Sequence, residues 1–355
     1  MKKRDSNIEM LRIFAMFFIV LHHSVVHGAF HNLQQYEFNF FKQNFANFTV
    51  SNLLISGGKV SVAIFILITG YYSVNISFKI KRLIPILIQT FFYSLTGLMI
   101  GLILHQNTSI KIIIKQFFPI IFSQYWFITC YVLILLLAPF IVVLLKNLDN
   151  RMNFHLFLIL AAINIVVPTL IPHGFKSVTN DFSVLLLFFI TGYYLNSYKI
   201  KLDISMRTGK FLVSISAFLY ILSVISIELL AVITKSTLFR YAYRFSNLDS
   251  IFVFMFSVGL FIVFKEMKLD NKYWINKVST LMLGVYLIHD NFFLRPIIWN
   301  NIFHLYESLS KNTFVFLILI IGSAVVVFVI CALVELMRQI IFKYIRDKFY
   351  LILNK

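Results

Sequence analysis

The sequence predicts an all-α fold: a polytopic transmembrane helical bundle of about ten helices, with both termini cytoplasmic. Three observations predict it. Of 355 residues, 60% are hydrophobic and only 13% are charged, and the mean hydropathy is +0.86. Soluble domains are nearer half apolar and a quarter charged. Apolar runs of about 20 residues, the length that crosses a hydrocarbon core as a helix, recur from end to end. Those runs do not alternate apolar with polar residues as the strands of a membrane barrel do. A helix satisfies its own backbone hydrogen bonds, which lipid cannot do.

Taken in order, spans are expected at 8–28, 53–74, 83–104, 118–145, 154–172, 182–198, 211–233, 249–265, 278–294 and 313–337. The first follows Lys2, Lys3 and Arg4, as in a secretory leader. Arg12, His22 and His23 interrupt its apolar run and no small-x-small site follows it, so it reads as a span. The fourth starts after Pro119 and is long enough to be broken near Ser123 and Gln124. The two cysteines, Cys130 and Cys331, lie in apolar runs without metal-ligand spacing, and no disulfide framework is expected. No linker or low-complexity tract divides the chain, so 1–355 reads as a single integral membrane domain.

Loop charges set the orientation. With the N-terminus inside, the inner segments carry 21 Lys and Arg, among them Lys79, Lys81, Arg82, Lys265 and Arg338, and the outer loops carry 9. That bias supports an even number of spans with both ends in the cytoplasm. The net charge of +18 therefore reflects topology and anionic headgroups, and no nucleic-acid partner is expected. One internal echo stands out. Ile68-Thr69-Gly70-Tyr71-Tyr72 recurs as Ile190-Thr191-Gly192-Tyr193-Tyr194, each followed by Lys-Ile-Lys, at 79–81 and 199–201. A parallel repeat would give that pattern, and so would the liking of tyrosine for helix ends at the membrane interface.

Ionisable groups inside a span are costly and usually functional. The first span holds Glu9, Arg12, His22, His23 and His27. Arg12 and His23 are eleven positions apart, hence only about 20° apart around the helix and about 16 Å along it. Glu9 and His27 each fall within about 40° of one of them, which makes a polar stripe rising from the inner surface. Glu9 is placed to pair with Arg12 across one turn. His23 and His27, at i and i+4, have a metal-compatible spacing, but no third carboxylate completes a motif and no metal is expected. Lys59, within the second span, is expected to snorkel to the outer surface.

Five stretches in order resemble the acyltransferase-3 family, integral membrane enzymes that O-acetylate bacterial surface glycans. Glu9, Arg12, Ala15 and His23 match its first helix. Phe65-Ile66-Leu67-Ile68-Thr69-Gly70-Tyr71 resembles its "FFxxSGY" helix end, and Lys79-Ile80-Lys81-Arg82-Leu83-Ile84-Pro85 its "RxxRIxP" loop. Trp126-Phe127 with Tyr131 resembles "WFLxxY", and Gly284-Val285-Tyr286-Leu287-Ile288-His289 resembles "GIYLIH". Glu335 sits where members often carry an acidic residue. The chain departs from the family pattern at Ala63, where several members have Asp, and at Val26 and His27, where many have an acidic residue. A third departure is Lys79, which replaces Arg.

The resemblance implies a multi-pass enzyme of the bacterial plasma membrane. It implies acetyl-CoA as the donor, without a metal, and a hydroxyl of a cell-surface polysaccharide or glycolipid as the acceptor. Catalysis is then expected from His23 as base, with Arg12 and Glu9. Arg82, Lys79 and Lys81 would hold the donor phosphates at the inner surface. Trp126, Tyr131 and His289 would line the acceptor path. Histidine titrates near neutral pH, which suits proton removal from a hydroxyl. A homo-oligomer, or a separate extracytoplasmic partner, is compatible with the family. A glycolipid transporter or flippase is the rival reading; it would favour helices interrupted by Gly or Pro in paired positions. A membrane sensor would carry an output domain, for which the sequence shows no segment.

Overall fold

The computed structural model describes residues 5–75, 80–171, 180–197 and 205–353, and every regular element among them is helical. Helices α1 (Ser6–His23), α2 (Phe45–Tyr71) and α3 (Ile84–Ile103) are followed by a short amphipathic helix, α4 (Ile110–Phe117). Then come α5 (Trp126–Asn147), α6 (Asn150–Leu170), α7 (Asp181–Ser197), α8 (Met206–Thr234) and α9 (Ile251–Glu266). Two short helices, α10 (Tyr273–Ser279) and α11 (Met282–His289), precede the last, α12 (Thr313–Leu353). Among the described residues, eight helices are long and apolar enough to cross a membrane, and a bent pair, Tyr273–His289 with Leu294–Ser310, makes a ninth crossing if counted as one. Helix α7 has 17 residues, the lower limit for a span.

Side-chain bonds fix how the ends meet. Asn196, at the end of α7, donates to the Tyr71 carbonyl at the end of α2 (2.7 Å). Thr169, at the end of α6, donates to the Asp249 carbonyl just before α9 (3.2 Å). Ser279 donates to Glu9 near the start of α1, and Gln339 of α12 donates to the neighbouring Thr280 carbonyl (3.2 Å). The chain thus starts, and α12 descends, at one end of the bundle, as the loop charges require.

Four spans differ clearly from the expected boundaries, the second by starting at Phe45 instead of residue 53. The fourth begins at Trp126, because Ser123 adopts a left-handed conformation (φ 49°) that ends the preceding turns. Helix α4 before it is a separate element, capped by Ser109, whose side chain accepts from the Ile112 N–H. The ninth span is broken, with an 89° bend between its halves. Helix α12 runs to Leu353, beyond its apolar part, because nothing in Leu336–Lys343 breaks a helix.

The repeated Ile-Thr-Gly-Tyr-Tyr has a packing explanation. A Cβ on Gly70 would collide with the Phe189 carbonyl, three residues before Gly192. A Cβ on Gly192 would collide with the Leu67 carbonyl, three residues before Gly70. The two copies therefore pack on each other reciprocally, backbone to backbone, as small residues allow in membranes. Tyr193 and Tyr194 are buried, Tyr194 donating to the Asn153 side chain (3.0 Å), so this second pair is not an interfacial anchor. The Lys-Ile-Lys echoes include Lys79, Lys199 and Lys201, which lie outside the described residues.

The contact makes a falsifiable demand. Gly→Ala inside a helix ordinarily gains up to about 1 kcal/mol. Gly192→Ala should instead cost about 1–3 kcal/mol, because the helices must part. Gly322→Ala, whose new methyl meets nothing within 4 Å, is the control. Thermal unfolding in detergent should show a lower midpoint for the first only; equal midpoints would refute the reciprocal contact.

Candidate active site

A helix that stops inside a membrane leaves backbone groups that lipid cannot satisfy. The end of α11 is such a stop, and its polar groups are accounted for by buried partners. Asn291, fully buried, donates to the Tyr93 carbonyl (3.1 Å) and the Tyr125 hydroxyl (2.8 Å), and accepts from the Phe293 N–H (3.0 Å). Tyr125 in turn donates to the Leu287 carbonyl (3.1 Å). Gly97 of α3 leaves the room that the Asn291 side chain occupies. Behind α11, the buried Glu335 packs on Gly284 and accepts from Tyr93 (2.7 Å), Arg338 (2.7 and 2.8 Å) and Gln339 (2.8 Å). The acidic residue of the last helix is therefore a brace for the broken one.

The break presents His289 to α1. His289 Nδ1 lies 2.6 Å from the Val285 carbonyl, and His289 Nε2 lies 2.9 Å from His23 Nδ1. A carbonyl only accepts, so Nδ1 of His289 carries the proton. In the neutral ring its Nε2 is then an acceptor, and His23 Nδ1 must be the donor. Neutral His23 is left with a bare lone pair on Nε2. One carbonyl on α11 thus dictates the tautomer of a histidine on α1, through a second ring.

Asp290, 5% exposed, sits beside this pair. Its Oδ1 is 3.8 Å from His23 Nδ1, 3.9 Å from His27 Nε2 and 3.2 Å from Arg295 Nη1. The α1 helix widens into a π-helical turn over Ser24–Ala29, which re-aims His27 toward the same carboxylate. His22 faces the other way: its Nδ1 meets the Ile55 carbonyl (2.7 Å), and its ring packs where Gly58 has no side chain. These groups line one polar cavity of about 520 Å³, shared by His22, His23, His27, Lys59, Trp126, Asp290 and Arg295. The cavity is also lined by residues 31–35 and by Tyr243, Ser246 and Asn247. It therefore lies at the end of the bundle opposite the start of α1.

Not all the expected site residues meet there. His23 and Trp126 line the cavity. His289 stands behind His23, fully buried, rather than along an acceptor path. Tyr131 packs lower down, 3.5 Å from the Thr69 hydroxyl and beside Phe127. Glu9 and Arg12 form a 3.0 Å ion pair about 16 Å below His23 along α1, and Glu9 also accepts from Ser279. They tie α1 to α10 at the inner end. Lys81 and Arg82 are exposed ahead of α3, and Lys79 lies outside the described residues. Lys59 points into the cavity at this end, its ammonium 4.4 Å from the centre of the Trp126 ring.

Asp290 and Arg295 did not emerge from the sequence as site residues. The usable signal was Asp290-Asn291 inside an apolar span, where acidic residues are rarely idle. Asp290 supplies from another helix the acidic neighbour that Val26 and His27 lack. His23, His27 and Asp290 hold ligand atoms within 4.8 Å of one another, close enough to suggest a metal. However, Arg295 already occupies Asp290 and His289 occupies His23 Nδ1, so a cation there would face a guanidinium and lose a ligand.

Asn291→Ala should expose how far the break depends on its side chain. It leaves the buried Phe293 N–H without its acceptor and takes a second bond from the Tyr93 carbonyl, which lies inside α3, and should cost about 1–3 kcal/mol, the worth of one buried unsatisfied group. Unfolding of the purified variant in detergent reads this, and a midpoint equal to wild type would show that the break is held otherwise.

No curated protein and no solved structure matches the chain. A family model described as an acyltransferase domain, that of acyltransferase-3, matches residues 5–334, nearly the whole chain. With its helical bundle and its buried histidine pair, the chain belongs to the acyltransferase-3 family of membrane acyltransferases.

Proposed function

We propose that the protein transfers an acetyl group from cytoplasmic acetyl-CoA to a hydroxyl of a cell-surface glycan or glycolipid, in a bacterial plasma membrane. The observation that carries this reading is the fixed tautomer of His23, which leaves a basic Nε2 on a cavity-lining residue. A hydroxyl is a poor nucleophile until a base takes its proton. His23 Nε2 accepts that proton as the hydroxyl oxygen bonds to the thioester carbonyl carbon. When the C–S bond breaks, the same proton passes to the departing thiolate. While His23 is charged, its Nδ1–H stays on His289, and the Asp290 carboxylate 3.8 Å away offsets the charge.

The two substrates approach from opposite ends. Lys81 and Arg82, exposed at the inner end, suit the phosphates of the donor, together with Lys79. The cavity at the other end, with Trp126 at its wall, suits a sugar. A broken helix is also a feature of transporters, and the 89° bend here is the one observation that favours export of a glycolipid instead. A buried, tautomer-locked histidine pair has no evident use in that reading.

O-acetyl signals of surface glycan and glycolipid, read by NMR in a host with and without this chain, separate the two. Acetylation should appear with wild type and fall by about 10²–10⁴-fold with His23→Ala, the usual worth of a general base. His289→Leu, which leaves the His23 N–H unpaired, should cost about tenfold or more, and His289→Gln, which restores an acceptor, should recover part of it. Unchanged acetylation with reduced glycan export would replace the enzyme by the transporter.

A further inference from the structure

Directly below the polar cavity lies a second one, almost wholly apolar, of about 370 Å³. Leu11, Phe14, Ala15 and Phe18 of α1 form one wall, and α2, α8 and α9 the others. On α1 the lining positions fall on one stripe, and the next residue on that stripe is His22, which lines the polar cavity. On α2, Gly57 and Val60 face the apolar space while Ile55 and Lys59 face the polar one. The mouth is lateral: Phe14, Phe18 and Ile221 are 46%, 40% and 42% exposed, facing the bilayer.

Lys59 is the second observation. Its ammonium rests on Trp126 with no carboxylate within 4.0 Å among the described residues, whereas the other cation of the cavity, Arg295, is paired with Asp290. A cation at membrane depth is costly unless something neutralises it. Hydrocarbon space and a cation with no carboxylate in contact, adjacent along α2, describe an amphiphile with an anionic head.

We propose that, of the two acceptor classes above, the acceptor is the glycolipid, and that it is an anionic one. It enters sideways between α1 and α8, lays its hydrocarbon chain in the apolar cavity, and sets its anionic headgroup on Lys59, with the reacting hydroxyl near His23. This rests on the acyl-transfer reading for the hydroxyl, but the lipid site itself does not need it.

The test uses the full-length protein in nanodiscs with two photoreactive lipids, phosphatidylglycerol and phosphatidylcholine, each with a diazirine in its acyl chain. The anionic lipid should label Phe14, Phe18 and Ile221 about tenfold more than the neutral one. Lys59→Gln should abolish the preference, and Ala217→Trp, which fills the cavity, should abolish the labelling. His23→Ala should label as wild type does, so that failure of catalysis and failure of the site are told apart. Equal labelling by both lipids, or a preference that survives Lys59→Gln, would overturn the proposal as mere bulk lipid. In the same host, label from radioactive acetyl-CoA should enter the organic lipid extract with wild type and not with Ala217→Trp or Lys59→Gln. Label confined to the aqueous glycan in wild type would overturn the acceptor assignment.

Discussion

A helix cannot end inside a bilayer without partners for the groups it frees, and the site follows from how this chain meets that constraint. The stop after His289 is possible because Tyr125 takes up the Leu287 carbonyl and Asn291 the Phe293 N–H, and because Glu335 with Arg338 holds the facing helix in place. Once the stop exists, His289 is fixed by the carbonyl four residues before it and points its other nitrogen at α1. The tautomer of His23 on α1 is thus set by the backbone of α11. Close helix approach makes the rest fit: Gly58 admits the His22 ring, and the Gly70–Gly192 contact locks α2 to α7 beneath the cavity.

Much of the fold was legible in the sequence, since hydrophobic length and loop charge both follow directly from the bilayer. The boundaries that failed were those where tertiary contacts override local pattern. Apolarity continues from residue 278 to 294, and only the partners of Asn291, which come from α3 and the segment before α5, let the helix stop there. The start of α5 turns on the backbone of Ser123, which no periodicity reveals.

The site was legible where one helix carries it and obscure where two meet. The stripe on α1 carries His23 together with Glu9, Arg12 and His27, and the family resemblance singled out His23. The partnership of His23 with His289 joins residues 266 positions apart, and nothing in either neighbourhood announces it. Angular reasoning also placed Glu9 and Arg12 on the face of His23, correctly in direction, yet the axial rise separates them by about 16 Å. The family resemblance groups them as one site; the structure ties Glu9 and Arg12 to α10 at one end of α1 and joins His23 to His289 nearer the other. Lys59 was expected to snorkel outward; the structure adds what the sequence did not show, a resting place on Trp126 in the polar cavity.

The most direct test of this account is the proton on His23 itself. Solid-state NMR of protein labelled with 15N-histidine, assigned by loss of signals in His23→Ala, distinguishes a protonated from a bare ring nitrogen. The account predicts a proton on Nδ1, a bare Nε2, and coupling from that N–H to Nε2 of His289. A proton on Nε2 of His23 would leave no base in the cavity at that atom and would contradict the mechanism.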